Sequence, residues 1–167
     1  MEIQRIDTFS GHKAPIYSLE EGREPHFIYS AGSDGWVVEW NLQKPDVGKV
    51  LAHIEGSVYC LKFDRLAEVF WVGQNFEGIH GIQMSDQSRV FSIAMPKKAI
   101  FDICFWGNQV WVAHDHGLIS VIDKESQQII KHIKSGDKSA RKFCLLGQDK
   151  IAIGFSDGFI RVFNKNF

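Results

Sequence analysis

Three side chains near the start of the chain have the types that hydrolytic chemistry uses: His12, Ser30 and Asp34. A Ser–His–Asp set attacks acyl groups when the serine sits on an exposed strand-to-helix turn and the imidazole can take its proton. Here Ser30 closes the run "FIYS", which is β-branched and aromatic, and no helical apolar period follows it. Without a turn of that kind, nucleophilic catalysis is not expected from this set. The second set is "HDH", His114, Asp115 and His116. Two imidazoles and a carboxylate are the donors of metal sites and the acid–base groups of hydrolases. An enzyme or metal-binding role for this turn is therefore the alternative reading. A tight turn there is expected to point the two imidazoles apart, so no metal and no cofactor are expected. Cys60, Cys104 and Cys144 are odd in number and show no CxxC spacing. They read as small buried apolar residues on separate strands, poorly placed for a disulfide.

The stretch 131–142, "KHIKSGDKSARK", is locally basic. A phosphate or nucleic-acid contact is the functional reading of such a run. The chain as a whole carries 19 Lys and Arg against 20 Asp and Glu, and it has no second basic stripe. That balance argues against nucleic acid as a partner. No apolar run approaches the ~18 residues of a membrane span. No charged segment followed by an apolar run opens the chain, so no signal peptide is expected. With unpaired cysteines, a reducing, cytoplasmic setting is expected. Hydrophobic residues at 44% and charged residues at 23% are ordinary for a globular protein, and 167 residues suit one domain.

The elements that must position these groups are short strands. "HFIYS", "VFWVG", "QVWVAH" and "KIAIGF" are separated by Gly, Asp, Asn and Ser. They recur with a period. "IYSLEE", "VYCLKF", "IFDICF" and "ARKFCL" share one template, and their first residues, Ile16, Val58, Ile100 and Ala140, are 42, 42 and 40 apart. Each is followed by a second strand, a turn, a third strand ("WVVEW", "GIHGIQ", "LISVID", "FIRVF") and a fourth ("KVLAHI", "RVFSIA", "QIIKHI"). Four strands in roughly 40–45 residues is the period of a propeller blade. One such sheet has two apolar faces, and only stacking blades around an axis buries both.

From Gly11 to Asn41, "GHKAPIYSL…IYSAGSDGWVVEWN" resembles a WD40 repeat, with its Gly-His, Asp-Gly and Trp. The fourth repeat, "GFSDGFIRVFN", has Phe163 at the Trp position, and the middle two have Ile82 and Ile122 there. The resemblance implies an all-β, WD40-type β-propeller with four blades of four antiparallel strands. The blades are expected at about 11–56, 57–97, 98–138 and 139–167, the last completed by 2–9, all in a single domain. It further implies that His12, Ser30, Asp34 and Trp40 form a buried structural tetrad, with Asp34 accepting from His12 and Ser30 bonded to the indole. The family usually has seven blades, which at ~40 residues each need about 280. Three arrangements answer this: a portion of a longer propeller, self-association that completes the ring, or closure with four blades.

In this family the residue after the first apolar position of the innermost strand reaches the rim of the central channel. Carried over, these are Tyr17, Tyr59, Phe101 and Arg141, with Lys13, Lys97, Lys98 and Lys138 in the loops before them. Aromatic and Arg side chains dominate binding hot spots. The expected function is a non-catalytic scaffold that binds a partner protein or peptide on the narrow channel face.

Overall fold

Each sequence repeat folds into one antiparallel sheet. The computed structural model describes residues 3–45 and 47–164. The first sheet holds β1 (Ile16–Glu21), β2 (Phe27–Gly32), β3 (Trp36–Asn41) and β4 (Gly48–His53) in that order. The second holds β5 (Val58–Asp64), β6 (Val69–Gln74), β7 (Gly78–Gln83) and β8 (Arg89–Ala94). The third holds β9 (Ile100–Trp106), β10 (Gln109–His114), β11 (Leu118–Asp123) and β12 (Ile129–Lys134). The fourth holds β13 (Ala140–Leu146), β14 (Lys150–Phe155) and β15 (Ile160–Asn164). Strands of five to seven residues are set by the Gly, Asp and Asn turns between them. One turn is Asp34-Gly35, where Gly35 takes φ 75° with its backbone against that of Ile54. A side chain there would both strain the backbone and collide, so only glycine fits.

The sheets stack face to face. The innermost strand of each blade packs on the next, β1 on β5, β5 on β9 and β9 on β13. Among the described residues no comparable packing joins β13 back to β1. Three apolar layers fill the three joints. Between blades one and two lie Tyr29, Val37, Leu61, Phe63 and Phe70. Cys60, Trp71, Ile79, Ile103 and Val110 fill the second joint, and Trp111, Ile119, Val121, Phe143 and Ile153 the third. Middle blades bury both faces, so their strands carry apolar residues without clean alternation. Each fully buried Ile or Phe contributes roughly 1.5–3 kcal/mol. A charge at Ile119, which has no exposure, would break the third joint.

Two features differ from expectation. Residues 3–9 form no strand, and the fourth blade has three strands among the described residues. Residue 2 and residues 165–167, assigned to that blade, lie outside the described residues. Ile3 and Ile6 are almost fully exposed, and only Phe9 finds a surface, edge-on to Trp40 at 5.8 Å between ring centres. Through Phe9 the segment lies beside blade one, on Trp40 of β3. The second difference is Cys144, which is exposed, whereas Cys60 and Cys104 are buried. Cys144 is on β13, and among the described residues no further blade packs over that side of it.

Candidate functional site

Tyr17, Tyr59, Phe101 and Arg141 share a local cause. In every blade the pairing of the innermost strand with its neighbour skips a residue at this point. Ile16 pairs with Gly32 and Ser18 with Ala31, leaving Tyr17 as the extra residue of a bulge. Tyr59 is extra between Val58 and Cys60, Phe101 between Ile100 and Asp102, and Arg141 between Ala140 and Lys142. A bulge bends the strand and re-aims the extra side chain out of the ladder. Four of them at one level place four side chains in one row at the loop end of the innermost strands.

The row is paired. Tyr17 and Tyr59 stack with ring centres 4.7 Å apart and planes 9° from parallel. The Arg141 guanidinium lies 3.9 Å from the centre of the Phe101 ring. Stacking of this kind orders the side chains before any partner arrives. Tyr17 remains 44% exposed, Tyr59 and Phe101 are half-buried, and Arg141 is exposed. Of the neighbouring cations, Lys98 lies 3.5 Å from Asp115 and Lys13 sits 4.9 Å over the Trp36 ring. Lys97 and Lys138 lie in the loops that enter β9 and β13.

His12, Ser30, Asp34 and Trp40 form one continuous chain of hydrogen bonds. His12 Nδ1 is 2.9 Å from Asp34 Oδ2, and Nε2 is 2.7 Å from Ser30 Oγ. The Trp40 indole N–H donates to the same Ser30 oxygen at 2.7 Å. The proton arrangement that satisfies every atom has Nδ1–H donating to Asp34 and the Ser30 hydroxyl donating to Nε2. The serine oxygen is then occupied by an indole and buried in a strand, so it has no path to an acyl group. Burial alone would raise the Asp34 pKa, but the N–H of Lys13, the His12 ring and the N–H of Trp36 outweigh it and lower it.

The turn at 114–116 sends its two imidazoles to different places. His114 is fully buried, with Nε2 2.9 Å from Ser120 Oγ, which in turn is 2.9 Å from His132 Nδ1. His114 Nδ1 has no hydrogen-bond partner. Burial pushes the His114 pKa down to about 4, against the upward pull of Asp115. His116 takes the left-handed φ of 51° and turns its ring toward solvent, 3.2 Å from Asp115. Among the described residues no group of three or more His, Cys, Asp or Glu side chains could hold a metal ion.

Sequence reading missed the polar ties between innermost strands. Glu20 pairs with Lys62 at 2.8 Å, and Asp102 with Lys142 at 2.7 Å. Asp102 also accepts the Phe143 N–H at 2.8 Å, as the Ser18 hydroxyl oxygen accepts that of Leu61 at 3.1 Å. These partners are one repeat apart in sequence, and opposite charges at that spacing are the signal that was available. Burial, with the Asp102 carboxylate nearby, pushes the Cys104 thiol up to about 11. In the basic stretch, Lys134 pairs with Asp137 at 3.3 Å and Lys142 is held by Asp102.

Solved structures carry the same architecture. The chain is similar to the β-propeller domain of Myceliophteria thermophila Cps50 (Swd1), with TM-score 0.76 at 18% identity over 95% of this chain and 54% of that one. The WD40 repeats of RRP9 match with TM-score 0.77 at 15% identity, over 92% of this chain and 49% of that one. The computationally designed Ika4 protein matches with TM-score 0.76 at 18% identity, over 98% of this chain and 99% of that one. The chain thus spans about half the length of the two natural propellers. No family model matches the sequence, and no curated protein matches it. The fold is that of WD40-type propeller blades.

Proposed function

We propose that the chain is a non-catalytic protein-binding scaffold whose contact surface is the channel mouth bearing Tyr17, Tyr59, Phe101 and Arg141. A propeller fold suits a protein-interaction platform in general, but fold alone does not assign a partner or a face. The observation that carries this reading is the set of four bulges, one per blade, each turning a large side chain out of its ladder. At these four bulges the extra side chains are aromatic or guanidinium groups that stack in pairs and stay partly exposed, the groups that make binding hot spots. The partner that suits the row is an extended peptide or loop. It would place an apolar or aromatic side chain on the Tyr17–Tyr59 pair and a carboxylate near Arg141 and Lys98.

The test is selection from a displayed peptide library against the native chain, followed by titration of the selected peptides with variants. Tyr17→Ala and Arg141→Ala are each expected to weaken binding by roughly tenfold or more. Both residues are exposed enough for the variants to keep the native melting profile. Peptides that bind the two variants as tightly as the native chain would overturn the assignment.

A further inference from the structure

We infer that the outer faces of blades one and four are mating surfaces for a second copy of this chain, closing two four-blade arcs into one ring. This does not rest on the channel-mouth reading. It starts from equivalent positions. Leu19, Leu61, Ile103 and Phe143 are the fourth residues of the four innermost strands. The last three face the preceding blade and are at most 7% exposed, while Leu19 is 66% exposed. Ile160 is the equivalent of Val37, Ile79 and Ile119, because each pairs with the same position of the second strand. Those three face the following blade and have no exposure, while Ile160 has 75%. Each end of the arc is therefore one half of a joint that the chain builds three times internally. Both halves are present in one molecule, so a second copy can supply both.

The number of copies follows from ring size. One copy leaves both faces open. Two give eight blades, at the upper end of the range of roughly four to eight, and three would exceed it. A two-fold axis makes the two joints identical, and the assembly is closed.

The blade that has three strands among the described residues fits the same arrangement. Ile93 and Ile133 stand in fourth strands, seven residues before the next innermost strand begins at Ile100 and Ala140, and they pair with Ile79 and Ile119. Phe9 stands seven residues before Ile16. In blade one the equivalent residue, Ala52, pairs with Val37 and stands six residues before Val58. The register therefore sets Phe9 or the adjacent Ser10 of one copy opposite Ile160 of the other, with residues 5–9 adding along the edge of β15 that no described strand pairs. Strand addition satisfies backbone groups and covers an edge that would otherwise invite non-specific pairing.

The test is the mass of the native 167-residue chain in solution, by light scattering and native mass spectrometry. The expected result is twice the chain mass, independent of the peptide selection above. Leu19→Asp and Ile160→Asp alter residues that are exposed in the single arc, so each variant is expected to stay folded and to weaken the dimer by roughly tenfold or more. Mixing the two variants is the decisive arm. One joint of the mixed pair is wholly native, so a one-to-one dimer should reappear at a concentration where each variant alone is monomeric. Hydrogen exchange, which needs no variant, should show amides 5–9 protected in the native dimer. A monomer, an open-ended series of oligomers, a dimer indifferent to both substitutions, or a mixture that stays monomeric would overturn the inference.

Discussion

Blades one and three both bury a histidine against a serine, and they do it with different consequences. In blade one the imidazole uses both nitrogens, one toward Asp34 and one toward Ser30, and the serine also holds Trp40. The network ties the loop before the blade to its second and third strands. In blade three, His114 uses one nitrogen on Ser120 and leaves Nδ1 without a partner, and Ser120 shares itself with His132 on β12. That network holds strands within a sheet, and burial there outweighs the pull of Asp115 on a proton. A carboxylate makes the difference. Asp34 stands where His116 stands in blade three, and His116 turns outward. A buried polar cluster with every atom satisfied fixes a structure, whereas one with an orphan is a point of sensitivity.

The comparison is sharpest under truncation at the anchoring position. Trp40→Ala is expected to cost about 3–5 kcal/mol in chemical denaturation, because it removes both core area and the donor to Ser30. Ile122→Ala, the equivalent change in blade three, removes area alone and is expected to cost less, about 2–4 kcal/mol. Equal losses would mean that the hydrogen-bonded network adds nothing to packing.

Titration separates the blades next. In the unfolded chain His114 takes a proton near pH 6.5, and in the folded chain only near pH 4. Below pH 6.5 the unfolded state therefore binds more protons, and stability falls by roughly 2–3 kcal/mol by about pH 4, then levels. Asp34 behaves differently. Its folded pKa is lowered, so its contribution is intact above its ordinary value of 3.8 and is lost below it. Urea midpoints measured from pH 7 to pH 3 should show the blade-three loss first and the blade-one loss only at the acid end. A flat profile between pH 6.5 and 4 would contradict the burial of a neutral His114.

Smaller effects test single partners. Asp34→Asn keeps the shape but replaces a charged acceptor of three donors, and about 2 kcal/mol of lost stability is expected. Ser120→Ala leaves His114 and His132 without their shared partner and is expected to cost about 1–2 kcal/mol. Thermal melts of the two variants at pH 7 check both values, and the order between them is what the comparison predicts.

Particular residues show how far the sequence could be read. The repeat was visible because strand chemistry recurs every 40 or 42 residues, from Ile16 to Val58, Ile100 and Ala140. The Tyr17, Tyr59, Phe101 and Arg141 set follows from that alignment together with the rim position that the family resemblance implies. That each is a bulge residue did not, because a skipped pairing depends on both strands and leaves no mark on either. The Glu20–Lys62 and Asp102–Lys142 ties lay one repeat apart and were legible in principle. Residues 3–9 have the pattern of a fourth strand and form none, since a strand needs a neighbouring edge and that of β15 lies at the far end of the arc.

By itself the sequence determined the strand content, the period and the blade. Those depend on local patterning, which alternating apolar side chains and turn residues impose within one repeat. Only the tertiary structure decided which of several equivalent residues are covered. Leu19 and Leu61 are the same residue at the same place in the same strand, one exposed and one buried. Burial depends on whether a neighbouring blade stands in front, and that is a property of the stack, not of the repeat.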